Sequence, residues 1–184
     1  MLEVCESIDQ CVELVLIDMS YCNKLEKLLR SIGLLKKVKT LLLKGCSLGE
    51  SQIKIRDTNS MIQLKSSIGT NTKTSSSVVL EAIPSDLKFF TIPLPRSLVR
   101  LSLADNNLST ESFPVDFSCL VMLKELYLDY NPIVSLPSCV RSLPMIEILS
   151  MVNCNMLMSV EHPPHTLRFM QLYNDSNKPM LRKV

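Results

Sequence analysis

Apolar residues recur along this chain in the order L-x-x-L-x-L-x-x-(N/C), where L can also be Ile, Val or Met. Leu98, Leu101, Leu103 and Asn106 carry the pattern, followed by Leu108, and so do Leu123, Leu126, Leu128 and Asn131, followed by Ile133. Val38, Leu41, Leu43 and Cys46 repeat it, as do Leu14, Ile17, Met19 and Cys22, and Ile146, Leu149, Met151 and Cys154. A weaker copy runs Leu167, Met170, Leu172, with Asp175 at the last position. Within each copy the alternation of period two predicts a short strand, with the L residues inward and those between them outward. The first apolar residue falls at 14, 38, 98, 123, 146 and 167, in steps of 24, 60, 25, 23 and 21. A period near 24 describes one supersecondary unit that cannot bury its apolar edge alone and must stack on its neighbours. The expected fold is a solenoid of about six repeats spanning residues 1–184. Its parallel strands line a concave face, and helical or irregular turns return over the convex face.

The return segments carry the other period. Leu25, Leu28, Leu29, Ile32 and Leu35 have helical spacing, and so do Phe113, Phe117 and Leu120, and Leu136, Val140 and Leu143. Pro137 stands near the expected start of the last helix, where its missing N–H costs little. The step of 60 marks an insert, read as residues 49–97. Eight of the twelve residues from Ser66 to Ser77 are Ser or Thr, a composition that cannot bury enough apolar surface to offset chain entropy. These residues are expected to form a mobile loop inside one degenerate repeat, with Met61 and Leu64, then Leu87, Phe90 and Ile92, as its apolar remnants. Limited trypsin digestion is expected to cut first at Lys65 or Lys73 and to leave a resistant piece containing Leu98 to Leu172. First cuts between Arg100 and Arg141 would contradict this.

The ninth position of the motif has its own chemistry. The chain must bend after each strand, which leaves backbone groups without sheet partners. A buried amide can both donate to and accept from them. Asn106 and Asn131 are the expected rungs of such a ladder, with Cys22, Cys46 and Cys154 as weaker rungs. The outward strand positions are the candidate partner-binding residues. Chief among them are Arg100, Ser102, Asp105, Glu125, Tyr127, Asp129, Tyr130, Ser150, Gln171 and Tyr173, flanked by Asp18, Ser20, Tyr21, Thr40, Leu42, Lys44, Ile148, Val152 and Arg168. Tyr and Arg on such a face have the chemistry that dominates binding hot spots.

Composition narrows the classes. Aromatics are 5% and Trp is absent, so the core is aliphatic. Net charge is +2 with the signs interspersed, and the basic clusters Lys36–Lys39 and Arg182–Lys183 are short and lack aromatics, so a nucleic-acid surface is not expected. No apolar run reaches the length of a membrane span. Residues 1–10 do not read as a signal peptide, and the expected location is the cytoplasm, extending to the nucleus. The cysteine count of seven is odd and no C-x-x-C occurs, which points to reduced thiols and away from a disulfide framework or a zinc site. In His162-Pro163-Pro164-His165 the prolines prevent one helical face from presenting both imidazoles, so a turn is the expectation there. With no G-x-S-x-G, no phosphate loop and only four Gly, no catalytic residue, metal site or cofactor is expected. The sequons at Asn107 and Asn174 would matter only in a secreted chain.

The motif resembles the leucine-rich repeat. The runs Leu-Ser-Leu-Ala-Asp-Asn-Asn-Leu (101–108), Leu-Tyr-Leu-Asp-Tyr-Asn-Pro-Ile (126–133) and Ser-Leu-Pro-Ser-Cys-Val-Arg-Ser-Leu-Pro (135–144) are similar to the repeats of plant intracellular TIR-type nucleotide-binding disease-resistance receptors. Leu-Leu-Leu-Lys-Gly-Cys-Ser-Leu (41–48) extends that similarity to the second repeat. The resemblance implies a protein-recognition segment that senses a pathogen effector or a host protein and holds the receptor's own nucleotide-binding domain closed. No TIR or nucleotide-binding domain occurs within these residues. A cytosolic leucine-rich-repeat adaptor is the alternative reading.

Overall fold

In the computed structural model, residue 8 and residues 10–22, 30–48, 94–113 and 117–174 are described. The chain divides into two units, Met1–Glu50 with Asp86–Val184, and Ser51–Ser85. Every described residue belongs to the first. The remnants expected between residues 49 and 93, the Ser/Thr loop, and Leu25, Leu28 and Leu29 lie outside the described residues.

Each copy of the motif forms a three-residue strand. These are β1 (Leu16–Asp18), β2 (Thr40–Leu42), β3 (Arg100–Ser102), β4 (Glu125–Tyr127), β5 (Ile148–Ser150) and β6 (Phe169–Gln171). They form one parallel sheet of six strands in chain order. The register aligns Ile17, Leu41, Leu101, Leu126, Leu149 and Met170, the fourth motif position in every repeat. The stacking unit and the sequence repeat therefore coincide. The flanking apolar positions fill the same core: Val38, Leu98, Leu123 and Ile146 on one side, and Leu43, Leu103, Leu128 and Met151 on the other, are wholly buried.

The ladder continues beyond the strands. Leu43, Leu103, Leu128 and Met151 donate their backbone N–H to carbonyls of the next repeat, and two residues later Gly45, Asp105, Tyr130 and Asn153 do the same. Each of those four, and Tyr21 in the first repeat, has a left-handed backbone, with φ from 55 to 67°. This turn ends each strand and swings the ladder residue inward. Gly45 needs its missing side chain here, because a Cβ would lie 2.7 Å from Cδ1 of Tyr21.

The return side is irregular. It holds 3₁₀ turns at Arg30–Leu34 and Thr110–Ser112 and one short helix, α1 (Ser138–Arg141), preceded by Pro137 as expected. Of the helix expected through Phe113, Phe117 and Leu120, the described residues 113 and 117–120 are not helical. Phe113 precedes Pro114, which disfavours the helical region, and Phe113 is extended at φ −83°, ψ 150°. All three side chains are nevertheless buried in the core. Side chains join neighbouring repeats on this side: the Thr110 hydroxyl accepts from the N–H of Val134 at 3.1 Å, and the Phe117 N–H donates to Ser142 Oγ at 3.3 Å.

The insert is shorter at its C-terminal end than residues 49–97. Leu94 is buried, and Ser97 Oγ donates to the Val38 carbonyl at 2.8 Å, so residues 94–97 belong to the third repeat. Lengthening one connection from 24 to 60 residues adds only about 0.8 kcal/mol of closure entropy. That is comparable to the net contribution of one hydrogen bond, and several side-chain bonds join the second and third repeats.

Candidate protein-binding face

The ladder residues set the geometry of this face from beneath. Asn106 Oδ1 accepts from the N–H of Cys46 at 2.9 Å and of Leu48 at 3.4 Å, while Nδ2 donates to the carbonyls of Leu43 at 2.7 Å and Ala104 at 3.0 Å. Asn131 repeats this one unit on. Its Oδ1 accepts from Asn106 and Leu108, and its Nδ2 donates to Leu103, Leu128 and Asp129. Each amide reaches back to the preceding repeat. The cysteine rungs keep only the donor half strongly: Cys46 Sγ–H donates to the Met19 carbonyl at 3.1 Å and Cys154 Sγ–H to Leu128 at 3.2 Å. Cys22, in the first repeat, is half-buried.

Burial pushes the Cys154 thiol up to about 11, partly offset by the Asn131 backbone, and it raises Cys46 as well. Because burial penalises the thiolate and not the thiol, the shift adds nothing at neutral pH, and stability falls as the pH rises from 9 towards 11, where the unfolded chain releases the proton first. No disulfide links the described cysteines. Cys139 is buried, whereas Cys119 sits in an exposed turn. In the native protein, thiol reagents should modify Cys11 and Cys119 and reach Cys46, Cys139 and Cys154 only on unfolding. Site-resolved mass spectrometry would show this, and early labelling of Cys154 would contradict the buried rung.

Above the ladder, the outward residues form three bands. The first, at the strand entrances, is a series of ion pairs between neighbouring repeats. Lys37 Nζ meets Glu13 at 2.6 Å, Arg100 Nε meets Glu125 Oε2 at 2.7 Å, Lys124 meets Glu147 at 2.8 Å, and Arg168 approaches the other Glu147 oxygen at 3.8 Å. Arg100 holds the Glu125 carboxyl below its ordinary range, and Lys124 does the same for Glu147. These pairs are partly or largely exposed and contribute little stability each. They neutralise the band from within.

The second band is the middle of the strands. Tyr127 donates its hydroxyl to Glu125 Oε2 at 2.9 Å, and burial with that carboxylate raises its pKa. Ser102 is half-buried and Gln171 exposed, as outward positions require. Ser150 departs from the expectation, being 1% exposed. Its hydroxyl donates to Asp129 Oδ1 and lies 3.2 Å from Gln171 Oε1, and the same Asp129 oxygen accepts from the Val152 N–H at 2.7 Å. The flanking repeats thus cover Ser150, and it orders the face from below without presenting itself to a partner.

The third band follows the left-handed turns. Tyr21 and Tyr130 are exposed, and both rings approach Lys44, whose Nζ lies 5.6 and 5.9 Å from their centroids. The Tyr21 hydroxyl is the main cause of the raised Lys44 pKa, with Asp105 contributing. At the equivalent position other repeats place Gly45, Asp105 and Asn153, residues that tolerate positive φ. Tyrosine there costs about 1–2 kcal/mol. Replacing Tyr130 by Asn is therefore expected to raise stability by about 0.5–1 kcal/mol in a urea melt. A loss of that size would show the ring to be structural.

Two outward apolar strand residues escaped the sequence reading, as did the ion-pairing Glu13, Lys37, Lys124 and Glu147 beside the strands. Leu16 and Phe169 are 53% and 65% exposed at the entrance position that holds Arg100 and Glu125 in the middle repeats. Their register offset from the motif marks them as outward, while their hydrophobicity suggests core. Tyr173 is exposed as expected, and His162 and His165 lie exposed in the turn before β6. Among the described residues no cluster of three His, Cys, Asp or Glu side chains could hold a metal, and no helix is long and apolar enough to cross a membrane.

A family model of the leucine-rich repeat matches residues 97–120 and 122–143. The fold is a leucine-rich-repeat solenoid. No curated protein and no solved structure matches the chain. The matched residues include β3, β4 and both asparagine rungs, where the L-x-x-L-x-L positions are all leucine. Leucine-rich repeats are protein-interaction modules, a use that suits one open sheet face carried on a rigid stack.

Proposed function

We propose that this chain recognises a protein partner through the outward face of β3 to β6, and that it is the effector-sensing and autoinhibitory segment of an intracellular plant immune receptor. The observation that carries the recognition role is the placement of Tyr127 and Tyr130 on adjacent bands of one face. Tyr130 is held there in a backbone conformation that disfavours tyrosine, and strain retained at an exposed aromatic marks a site of function. Binding, and no reaction of its own, is the proposed activity, and the cytoplasm the proposed location. The receptor assignment rests on the motif resemblance of residues 41–48 and 101–144.

The test begins with the full transcript. A phosphate-loop G-x-x-x-x-G-K-[ST] encoded upstream supports the receptor, and its absence favours the adaptor. Where the nucleotide-binding domain is present, it should co-purify with this chain. Tyr127→Ala with Tyr130→Ala should weaken that association at least roughly tenfold, as expected for hot-spot residues, while leaving the melt cooperative. Unchanged association would move the interface off this face.

A further inference from the structure

We propose that a cleft across the second, third and fourth repeats, on the strand-entrance side of the stack, binds a small organic carboxylate with an apolar tail. The cavity has a volume of about 400 Å³, and Leu34, Leu35, Lys36, Leu94, Arg96 and Cys119 line it. A space of that size falls in the range that holds small molecules. It shares no residue with the outward face of β3 to β6, so the inference stands apart from the recognition role.

The stacking builds the walls. Leu34, Leu94 and Cys119 stand at the same distance before Val38, Leu98 and Leu123, the first motif residues of their repeats. The register that pairs Thr40 with Arg100 likewise sets Lys36 level with Arg96. Ser97 Oγ fastens two of the walls together, donating to the Val38 carbonyl at 2.8 Å and lying 3.5 Å from that of Leu35. Leu35 and Leu94 are buried, whereas Leu34 is 64% exposed and leaves apolar surface at the opening.

Charge selects the ligand. Elsewhere on the entrance side, neighbouring repeats meet with opposite signs: Lys37 with Glu13, Arg100 with Glu125, Lys124 with Glu147. Lys36 and Arg96 depart from this order. Like charges level with one another on adjacent repeats repel. Both side chains are exposed, and neither has a carboxylate within ion-pair distance among the described residues. Of the described residues that line the cavity, none is acidic. Lys39, exposed further along the same repeat and also without an ion pair among the described residues, adds to the positive field. A carboxylate between Lys36 and Arg96 relieves the repulsion and accepts charge-assisted hydrogen bonds from both. Its tail then lies over Leu34 and Leu94 towards Cys119 and covers apolar surface that water otherwise meets.

The test uses the whole 184-residue chain, with octanoate as the probe. Cys119 is exposed and lines the cavity, while Cys11 is exposed outside it, so the two thiols report occupancy against an internal control. Saturating octanoate should slow the modification of Cys119 by iodoacetamide at least about threefold, because access governs the rate, and should leave Cys11 unchanged. Lys36→Gln combined with Arg96→Gln should raise the octanoate concentration for half-protection at least about tenfold, the loss of one charge-assisted hydrogen bond. Circular dichroism melts check that this variant folds. If it does not, Leu34→Asp, at an exposed position, takes its place and should weaken protection by a similar factor.

Two further probes separate the parts of the ligand. Octan-1-ol has the tail without the charge, and inorganic phosphate has the charge without the tail. Each should protect Cys119 at least about tenfold less well than octanoate. Phosphate that protects as well as octanoate overturns the proposal, because the cations then hold an adventitious ion only. Octan-1-ol that protects as well overturns it from the other side. Slowing of Cys11 and Cys119 alike means general adsorption and overturns it too. So do protection that survives the substitutions and a failure of octanoate to protect at any concentration.

Discussion

Replacing Asn131 by alanine is expected to lower the unfolding free energy by about 3 kcal/mol, because a buried donor left without an acceptor costs about 1–3 kcal/mol and two are orphaned at once. The two are the backbone N–H groups of Asn106 and Leu108, which both donate to the Asn131 carboxamide. Three carbonyls lose a donor as well. Tyr127→Ala is the paired control. Tyr127 is half-buried and its hydroxyl meets a solvent-accessible carboxylate, so its loss should cost less than about 1 kcal/mol. Parallel urea melts decide the matter. Equal destabilisation by the two substitutions would mean that the ladder does not carry the turns.

The second large effect belongs to Leu126→Ala. Leu126 is wholly buried at the centre of the aligned row, with Leu101 and Leu149 on either side. Neighbours tied into both adjacent strands cannot collapse into the space, so a cost of about 2–5 kcal/mol is expected. Met170→Ala, at the same motif position in the last repeat, should cost under about 1.5 kcal/mol, because a half-buried side chain gives up less apolar area. Thermal and urea melts of both proteins give the comparison. A Met170→Ala loss as large as that of Leu126→Ala would show that the last repeat is covered as fully as the fourth.

The positions of all six strands were legible in the sequence, because the period-two core of the motif and the ladder residue constrain one another. A strand displaced by one residue would turn Leu126 outward and carry Asn131 away from its carbonyls. The asparagine rungs were legible for the same reason. The return segment after β3 was not, since helical spacing of Phe113, Phe117 and Leu120 fits a buried irregular turn as well as a helix and Pro114 decides between them, whereas the spacing of Leu136, Val140 and Leu143 does correspond to α1. Ser150 and Phe169 show the limit on the outward face. Alternation says which way a side chain leaves the strand, but whether it stays uncovered depends on Asp129 and Gln171 in neighbouring repeats. The meeting of Tyr21 and Tyr130 over Lys44 joins three repeats across an interval of 109 positions in sequence, and no local pattern announces it.

Each asparagine rung reaches back to the repeat before it, and this gives the stack a direction in time as well as in space. On a ribosome the chain emerges from its N-terminus. When Asn131 leaves the exit tunnel, the N–H groups of Asn106 and Leu108 and the carbonyl of Leu103 have already been made and await it. Every newly synthesised turn therefore completes its predecessor, and the growing end is always the least finished part. Synthesis is slow beside strand and turn formation, so the repeats can settle one at a time in the order of translation. A circularly permuted chain that begins at the fourth repeat would have to wait for its last residues before those bonds could close, and it should fold more slowly without being any less stable once folded.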